Sequence, residues 1–150
     1  MGKLRQKPSN NKIDGKSNAD QGCCSAQYPW FSFQIMTKNV RYNLSSLPAG
    51  SDREQVLHGL FTRLDELSHQ PWLYWTQQPK RTGLETLSYH QLNFSADPSA
   101  GLTKDATIYV FRFDTHLGAG QGRIIGYKKA PCAVLHIIGY DLNFSAYNHG

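Results

Sequence analysis

Apolar and polar positions begin to alternate at Tyr28. Phe31, Phe33 and Ile35, separated by Ser32 and Gln34, have the two-residue period of a half-buried strand. Lys38-Asn39 offers a turn, and Val40, Tyr42 and Leu44 then alternate with Arg41 and Asn43, so the segment reads as a hairpin or as one strand with an extended return. Pro48-Ala49-Gly50 ends the pattern. Ser51 and Glu54 have the S-x-x-E spacing of a capping box, and Val56, Leu57, Leu60, Phe61, Leu64 and Leu67 follow at helical spacing. They predict a helix from about Asp52 to Ser68 whose apolar stripe covers one face of a sheet. After Pro71, the cluster Trp72-Leu73-Tyr74-Trp75 reads as a helical turn packed on that sheet, with base stacking as the sharper alternative. Leu84, Leu87 and Leu92 suggest a further short helix.

The pattern changes at Thr107. Ile108 to Phe113, Arg123 to Lys128 and Ala133 to Tyr140 are three runs rich in β-branched and aromatic residues, as a pleated, packed surface favours. The glycine-rich link Asp114 to Gly122 and the short Lys129 to Pro131 leave no room for a crossover helix, so the runs form an antiparallel meander. The expected fold class is α+β: an antiparallel sheet whose C-terminal three-strand meander packs against one or two helices. At 150 residues the chain suits one domain, here residues 28–150. Residues 1–27, rich in Lys, Asn, Ser, Gln and Gly, read as a disordered basic arm, since they cannot bury enough surface to offset the entropy of ordering.

Charge then narrows the partners. The formal net charge is +5, and the bias lies in the arm (five basic, two acidic residues) and in residues 101–150 (five against three). An anionic partner is favoured. Three cysteines, two of them adjacent and none in C-x-x-C, support neither a disulfide framework nor a zinc ribbon, and suggest a reducing cytoplasm. No apolar run approaches the length of a bilayer span and no signal-peptide core follows the first lysines, so no membrane partner is expected. The six histidines lack metal-ligand spacing, and no metal or other cofactor is implied.

Candidate chemistry concentrates in the meander. Arg112 sits between Phe111 and Phe113, so if the phenylalanines face the core the arginine stands on the opposite face. Arg123 opens the second run, and Lys128 and Lys129 close it. His136 lies within the third run, where a satisfied core or edge histidine is the commoner reading. Tyr147 and His149 occupy the C-terminus, where an aromatic and an imidazole have little core to serve. Arg and Lys suit phosphate contacts, and Tyr and His proton transfer or base stacking. Lys80 and Arg81 add a basic loop. For each lone Arg or Lys a solvated strand face is the commoner reading. Gly118, Gly120 and Gly122 do not make a phosphate loop, because a strand follows them where a helix is required. Leu92-Asn93-Phe94-Ser95-Ala96 recurs as Leu142-Asn143-Phe144-Ser145-Ala146, too short to be a repeat architecture.

The order strand, helix, helical turn and three antiparallel strands ending in a basic, aromatic C-terminus resembles the RelE/ParE-type toxin fold of bacterial toxin-antitoxin pairs. The segments that carry the resemblance are Phe31 to Lys38, the helix leading to Leu67-Ser68 and Trp72, Tyr109 to Phe113, Arg123 to Tyr127, and His136 to His149. It implies an endoribonuclease that cleaves RNA on the ribosome by metal-independent 2′-OH attack and is neutralised by an antitoxin. Arg112 and Arg123 would hold phosphate, Tyr147 or His149 would transfer protons, and Lys128 would add a phosphate contact, with Lys129, Lys80 and Arg81 as further RNA-binding residues. The alternative is a non-catalytic module whose basic sheet face engages nucleic acid or a protein. The long N-terminal arm and the insert around Gln77 to Ser99 depart from the family's usual length.

Overall fold

A computed structural model describes residues 27–118 and 120–148. The proposed arm, apart from Gln27, and His149 lie outside the described residues. The elements in chain order are β1 (Trp30–Ser32), α1 (Ser51–Ser68), α2 (Trp72–Thr76), β2 (Leu84–Ser88), β3 (Thr107–Asp114), β4 (Gln121–Tyr127) and β5 (Val134–Asp141). They give an α+β fold with one five-stranded sheet in the order β1-β5-β4-β3-β2. The meander β3-β4-β5 is antiparallel, as is β2 on β3, but β1 runs parallel to β5, so the sheet is mixed rather than wholly antiparallel.

Both faces of the sheet are covered. On one, Val56, Leu60, Leu64 and Leu67 of α1 and Trp75 of α2 pack on Phe111, Phe113, Ile124, Leu135, Ile137 and Tyr140. On the other, Ile108, Val110, Ile125 and Ile138 are covered by Tyr42, Phe94, Ala96, Ala146 and Tyr147, which come from irregular segments and the C-terminus. Burial on both sides explains why β4 and β5 read as nearly unbroken apolar runs. Gly59 lets α1 approach this sheet: a methyl there would overlap the Asp114 carbonyl at the end of β3.

The α1 stripe forms as its spacing predicts, although Phe61 is exposed. The capping box does not form. Gly50 is the N-cap, with φ 64°, and Ser51 already lies inside the helix, so its hydroxyl has left the cap position. Asp52 and Glu54 instead place negative charge in the first turn, where the helix dipole favours it. The aromatic turn packs on the sheet side: Trp75 Nε1 donates to the Leu67 carbonyl (3.1 Å), and Trp72 Nε1 donates to that of Ala133 (2.9 Å) while its ring meets Tyr109 edge-on.

Three local expectations are corrected. The short helix read from Leu84, Leu87 and Leu92 is the strand β2, paired with β3 from Leu84 opposite Phe111 to Ser88 opposite Thr107. Leu84 joins the helix-side core and Leu87 the other, so a three-residue apolar interval serves two faces of a strand. Cys132 is disulfide-bonded, which withdraws the cysteine argument for a reducing compartment. An odd count excludes a complete framework but not a single bridge. For residues 31–44 neither the hairpin nor the extended return forms: the strand is confined to Trp30–Ser32, and an irregular return of turns leads to a 3-10 turn at Leu44–Ser46. The return follows β5, through Thr37 N–H to the Ile138 carbonyl (2.8 Å) and Tyr140 N–H to that of Tyr42 (2.7 Å).

The two similar pentapeptides lie against each other. Leu92 bridges to Tyr147, Asn93 N–H donates to the Ala146 carbonyl (2.7 Å), and Asn93 Nδ2 donates to that of Ser145 (2.8 Å). Their phenylalanines differ: Phe94 is buried and stacked on Tyr42, and Phe144 is exposed.

Tyr140 is fully buried in the helix-side core, and its hydroxyl has no hydrogen-bond partner. Tyr140→Phe removes that desolvated group while keeping the ring. Urea denaturation at neutral pH is expected to give a stability unchanged or raised by up to about 1 kcal/mol. A loss of that size would mean the hydroxyl is satisfied in solution.

Candidate functional site

Alternation along β3 sends Phe111 and Phe113 to the helices and Arg112 to the opposite face. Register does the rest. Arg112 is directly opposite Arg123 on β4, and Arg123 is directly opposite Asp141 on β5. Glu85, opposite Val110 on β2, stands diagonally beside Arg112. The helix-free face thus carries an acid-base-base-acid row across four strands. Like charges directly opposite one another destabilise a sheet. The two carboxylates offset this, with Arg112 Nη2 at 3.9 Å from Glu85 Oε2 and Arg123 Nη1 at 3.8 Å from Asp141 Oδ2.

Beyond β5 the chain folds back over Arg123. The Asp141 carboxylate is buried and accepts the backbone N–H groups of Asn143 (3.1 Å), Ser145 (3.1 Å) and Ala146 (3.0 Å). This wrap holds Phe144 at φ 57°, a left-handed conformation that costs a non-glycine residue roughly 1–2 kcal/mol. The Phe144 ring lies 4.2 Å from the Arg123 guanidinium carbon and the Tyr147 ring 5.5 Å from it. Arg123 is only 3% exposed, and its Nε and Nη1 have no hydrogen-bond partner. Asp141 meets it as a charge rather than through a hydrogen bond.

Glu85 is the second hub. It accepts a hydrogen bond from the Tyr147 hydroxyl at 3.2 Å, and Lys80 Nζ lies 3.6 Å from its other oxygen. Burial pushes the Tyr147 phenol up to about 12, with the Arg123 guanidinium opposing and the Glu85 carboxylate adding to the rise. The phenol is therefore protonated at neutral pH and suited to donating a proton rather than abstracting one.

Among the residues expected from the sequence, Arg112, Arg123, Tyr147 and Lys80 come together around these two carboxylates. Arg81 lines an adjacent cleft that Arg112 also lines. Lys128 and Lys129 follow the far end of β4, five and six residues beyond Arg123, or roughly 15–20 Å along the strand at ~3.3 Å per residue. Lys128 sits over the Trp72 ring, 5.4 Å from its centroid. Glu85 and Asp141 were not among the candidates. Asp141 had a signal in sequence, an acid closing an apolar run directly before Leu-Asn-Phe-Ser, but Glu85 lay in a segment read as helical. Among the described residues no three His, Cys, Asp or Glu side chains gather as a metal site, and no helix is long and apolar enough to cross a membrane.

The wrap makes the two partners of the buried pair unequal. Without Arg123, Asp141 keeps three amide donors; without Asp141, Arg123 keeps only its ring contacts. Asp141→Ala is expected to lower stability by about 3–5 kcal/mol, the usual cost of leaving a buried charge uncompensated, and Arg123→Met by clearly less. Paired urea titrations check the order, and equal losses would contradict it. His136, opposite Tyr127 on the same face, has a buried Nδ1 with no partner, and desolvation lowers its pKa below the ordinary imidazole value. The unfolded chain then takes up the proton first, so stability is full above about pH 6.5 and falls as pH drops through that value. Denaturation midpoints between pH 7.5 and 5 should show this loss, and His136→Gln should reduce it.

No family model, curated protein or solved structure matches the chain.

Proposed function

We propose that the protein acts on RNA as a toxin-type endoribonuclease, with the partly open end of the helix-free sheet face, at Glu85 and Arg112, meeting the phosphodiester backbone. What supports the reading is the direct opposition of Arg112 and Arg123 beside Tyr147 and Glu85, which gathers cations, a proton donor and a carboxylate base at one end of the sheet. The chemistry needs no metal. Glu85 takes the proton of the 2′-OH, and the oxygen attacks the adjacent phosphorus. Arg112 and Lys80 stabilise the charge that develops on the phosphorane, and Arg123, beneath the 142–147 segment, adds positive charge without contact. Tyr147, protonated at neutral pH, gives its proton to the departing 5′-oxygen. The products are a 2′,3′-cyclic phosphate and a 5′-hydroxyl. The proton held by Glu85 returns to the phenolate along the existing 3.2 Å contact, which restores both groups. His149, two residues beyond Tyr147, is a second proton-transfer candidate by sequence. Translating ribosomes are the proposed setting and an antitoxin the proposed protein partner.

One observation favours a second reading, a binding module without chemistry: Arg123 and Tyr147 are both almost completely covered. A single experiment separates the two. In cell-free translation the wild-type protein should yield RNA cuts with cyclic-phosphate ends, unaffected by a chelator. Glu85→Gln and Arg112→Ala should each lower the cutting rate by about 100-fold or more. RNA that is retarded by folded wild-type protein but stays intact would replace the nuclease with the binding module.

A further inference from the structure

β2 stops before β3 does. Its pairing ends at Leu84 opposite Phe111, so Arg112, Phe113 and Asp114 continue along an edge that β2 does not cover. There a cleft of about 300 Å³ opens between that edge and α1. It is walled by Gly59 of α1 and by Phe113, and it is lined by Arg63, Arg81 and Arg112 together with Thr62 and Gln121. Two carboxylates also line it: Glu66 is held by Arg63 Nη1 at 3.0 Å, and Asp114 accepts the backbone N–H of His116 at 2.8 Å. Arg63 is fixed in place by its second nitrogen, which donates to the Thr82 carbonyl (2.7 Å), and by the Trp75 ring beneath it.

Three arginines line the cleft against these two carboxylates, and Arg112 reaches its other acid, Glu85, only at 3.9 Å. Arg63 Nε and Arg112 Nε are both buried and lack any hydrogen-bond partner. Buried donors are nearly always satisfied, so both guanidinium groups are left short of partners beside the cleft, which Arg81 also lines. Guanidinium groups pair best with planar or tetrahedral oxyanions. We infer that this cleft binds a phosphate monoester of about mononucleotide size. A monoester offers more free oxygens than a diester and suits a cleft closed by the helix on one side and the sheet on the other. The chemistry is that of a free nucleotide or of a phosphorylated RNA end. The inference goes beyond RNA cleavage and does not require it.

The test is an amide NMR titration of the full chain with uridine 5′-monophosphate, with inorganic phosphate and uridine as comparisons. Saturable shifts at Gly59, Thr62, Thr82 and Asp114 are expected with the monophosphate and, more weakly, with inorganic phosphate, but not with uridine. Arg81→Ala should weaken binding by about tenfold, as loss of one charge-assisted contact does. Arg81→Gln serves if the alanine variant folds poorly, and Lys104→Ala, an exposed residue before β3 at the other end of the sheet, should bind as wild type does. A 5′-phosphorylated oligoribonucleotide that binds more tightly than both the monophosphate and its 5′-hydroxyl counterpart assigns the site to an RNA end, and parity with the monophosphate assigns it to a free nucleotide. Uridine binding as well as its monophosphate, shifts confined to other surfaces, no saturation, or an Arg81→Ala protein of unchanged affinity would overturn the inference. Because nothing is cleaved in this titration, its failure leaves the nuclease reading standing, and an inactive nuclease leaves this site standing.

Discussion

A carboxylate taken out of water must find donors to replace its hydration, and Asp141 finds them in the backbone that follows it. Three amides from Asn143 to Ala146 converge on its two oxygens. Satisfying them turns the chain back over the sheet at the end of β5. That turn places Ala146 and Tyr147 in the second core and Phe144 above Arg123. It also fixes Tyr147 against Leu92, which ties the C-terminus to the segment that covers the same face. Burying one acid thus supplies a negative charge for Arg123 and positions the proton donor proposed for the site. Buried ion pairs seldom add much stability against apolar replacements of the same volume. Here the carboxylate specifies a path for the chain, which an apolar residue could not do.

The sheet imposes a complementary constraint. With cores on both faces, its strands have little room for charge, and the charged row is confined to the end where β3 and β4 meet their connecting loop. That is also where β2 has ended, so Arg112 and Glu85 keep partial exposure while Arg123 and Asp141 lie under the C-terminal wrap. The cost of placing Arg112 opposite Arg123 is met by acids from the two flanking strands rather than by solvent. This leaves the row close to neutral as a unit. An incoming phosphate would compete with Glu85 and Asp141 for the arginines, not simply fill an empty positive surface.

Much of this was readable from residue order. The helix over Ser51–Ser68, the meander, and the placement of Arg112 away from the phenylalanines all follow from periodicities of 3.6 and 2 that one buried face enforces. The errors share a cause. β2 was missed because Leu84 and Leu87 serve opposite cores, which removes the alternation that marks a half-buried strand. The cap was misassigned because Gly50 took the non-helical conformation that a serine cap needs, one residue earlier than expected. Of the site, the cations were visible as residue types, but the acids that organise them were not. Their role depends on register between strands far apart in sequence, and no local pattern records register.

The similar pentapeptides show how tertiary context divides one sequence into two roles. Residues 92–96 and 142–146 meet along a short antiparallel contact, yet Phe94 enters the core and Phe144 takes a left-handed backbone above an arginine. The difference lies in what precedes them. Gln91 closes a single 3-10 turn in which its side chain accepts from Ser88 N–H, so Leu92 leaves in an extended conformation. Asp141 ends a central strand with its carboxylate already buried, and the next residues must curl to satisfy it. The strain at Phe144 is therefore a consequence of burying Asp141. Any process that protonates Asp141 or gives its carboxylate or the three amides another partner would remove the force that holds the loop closed.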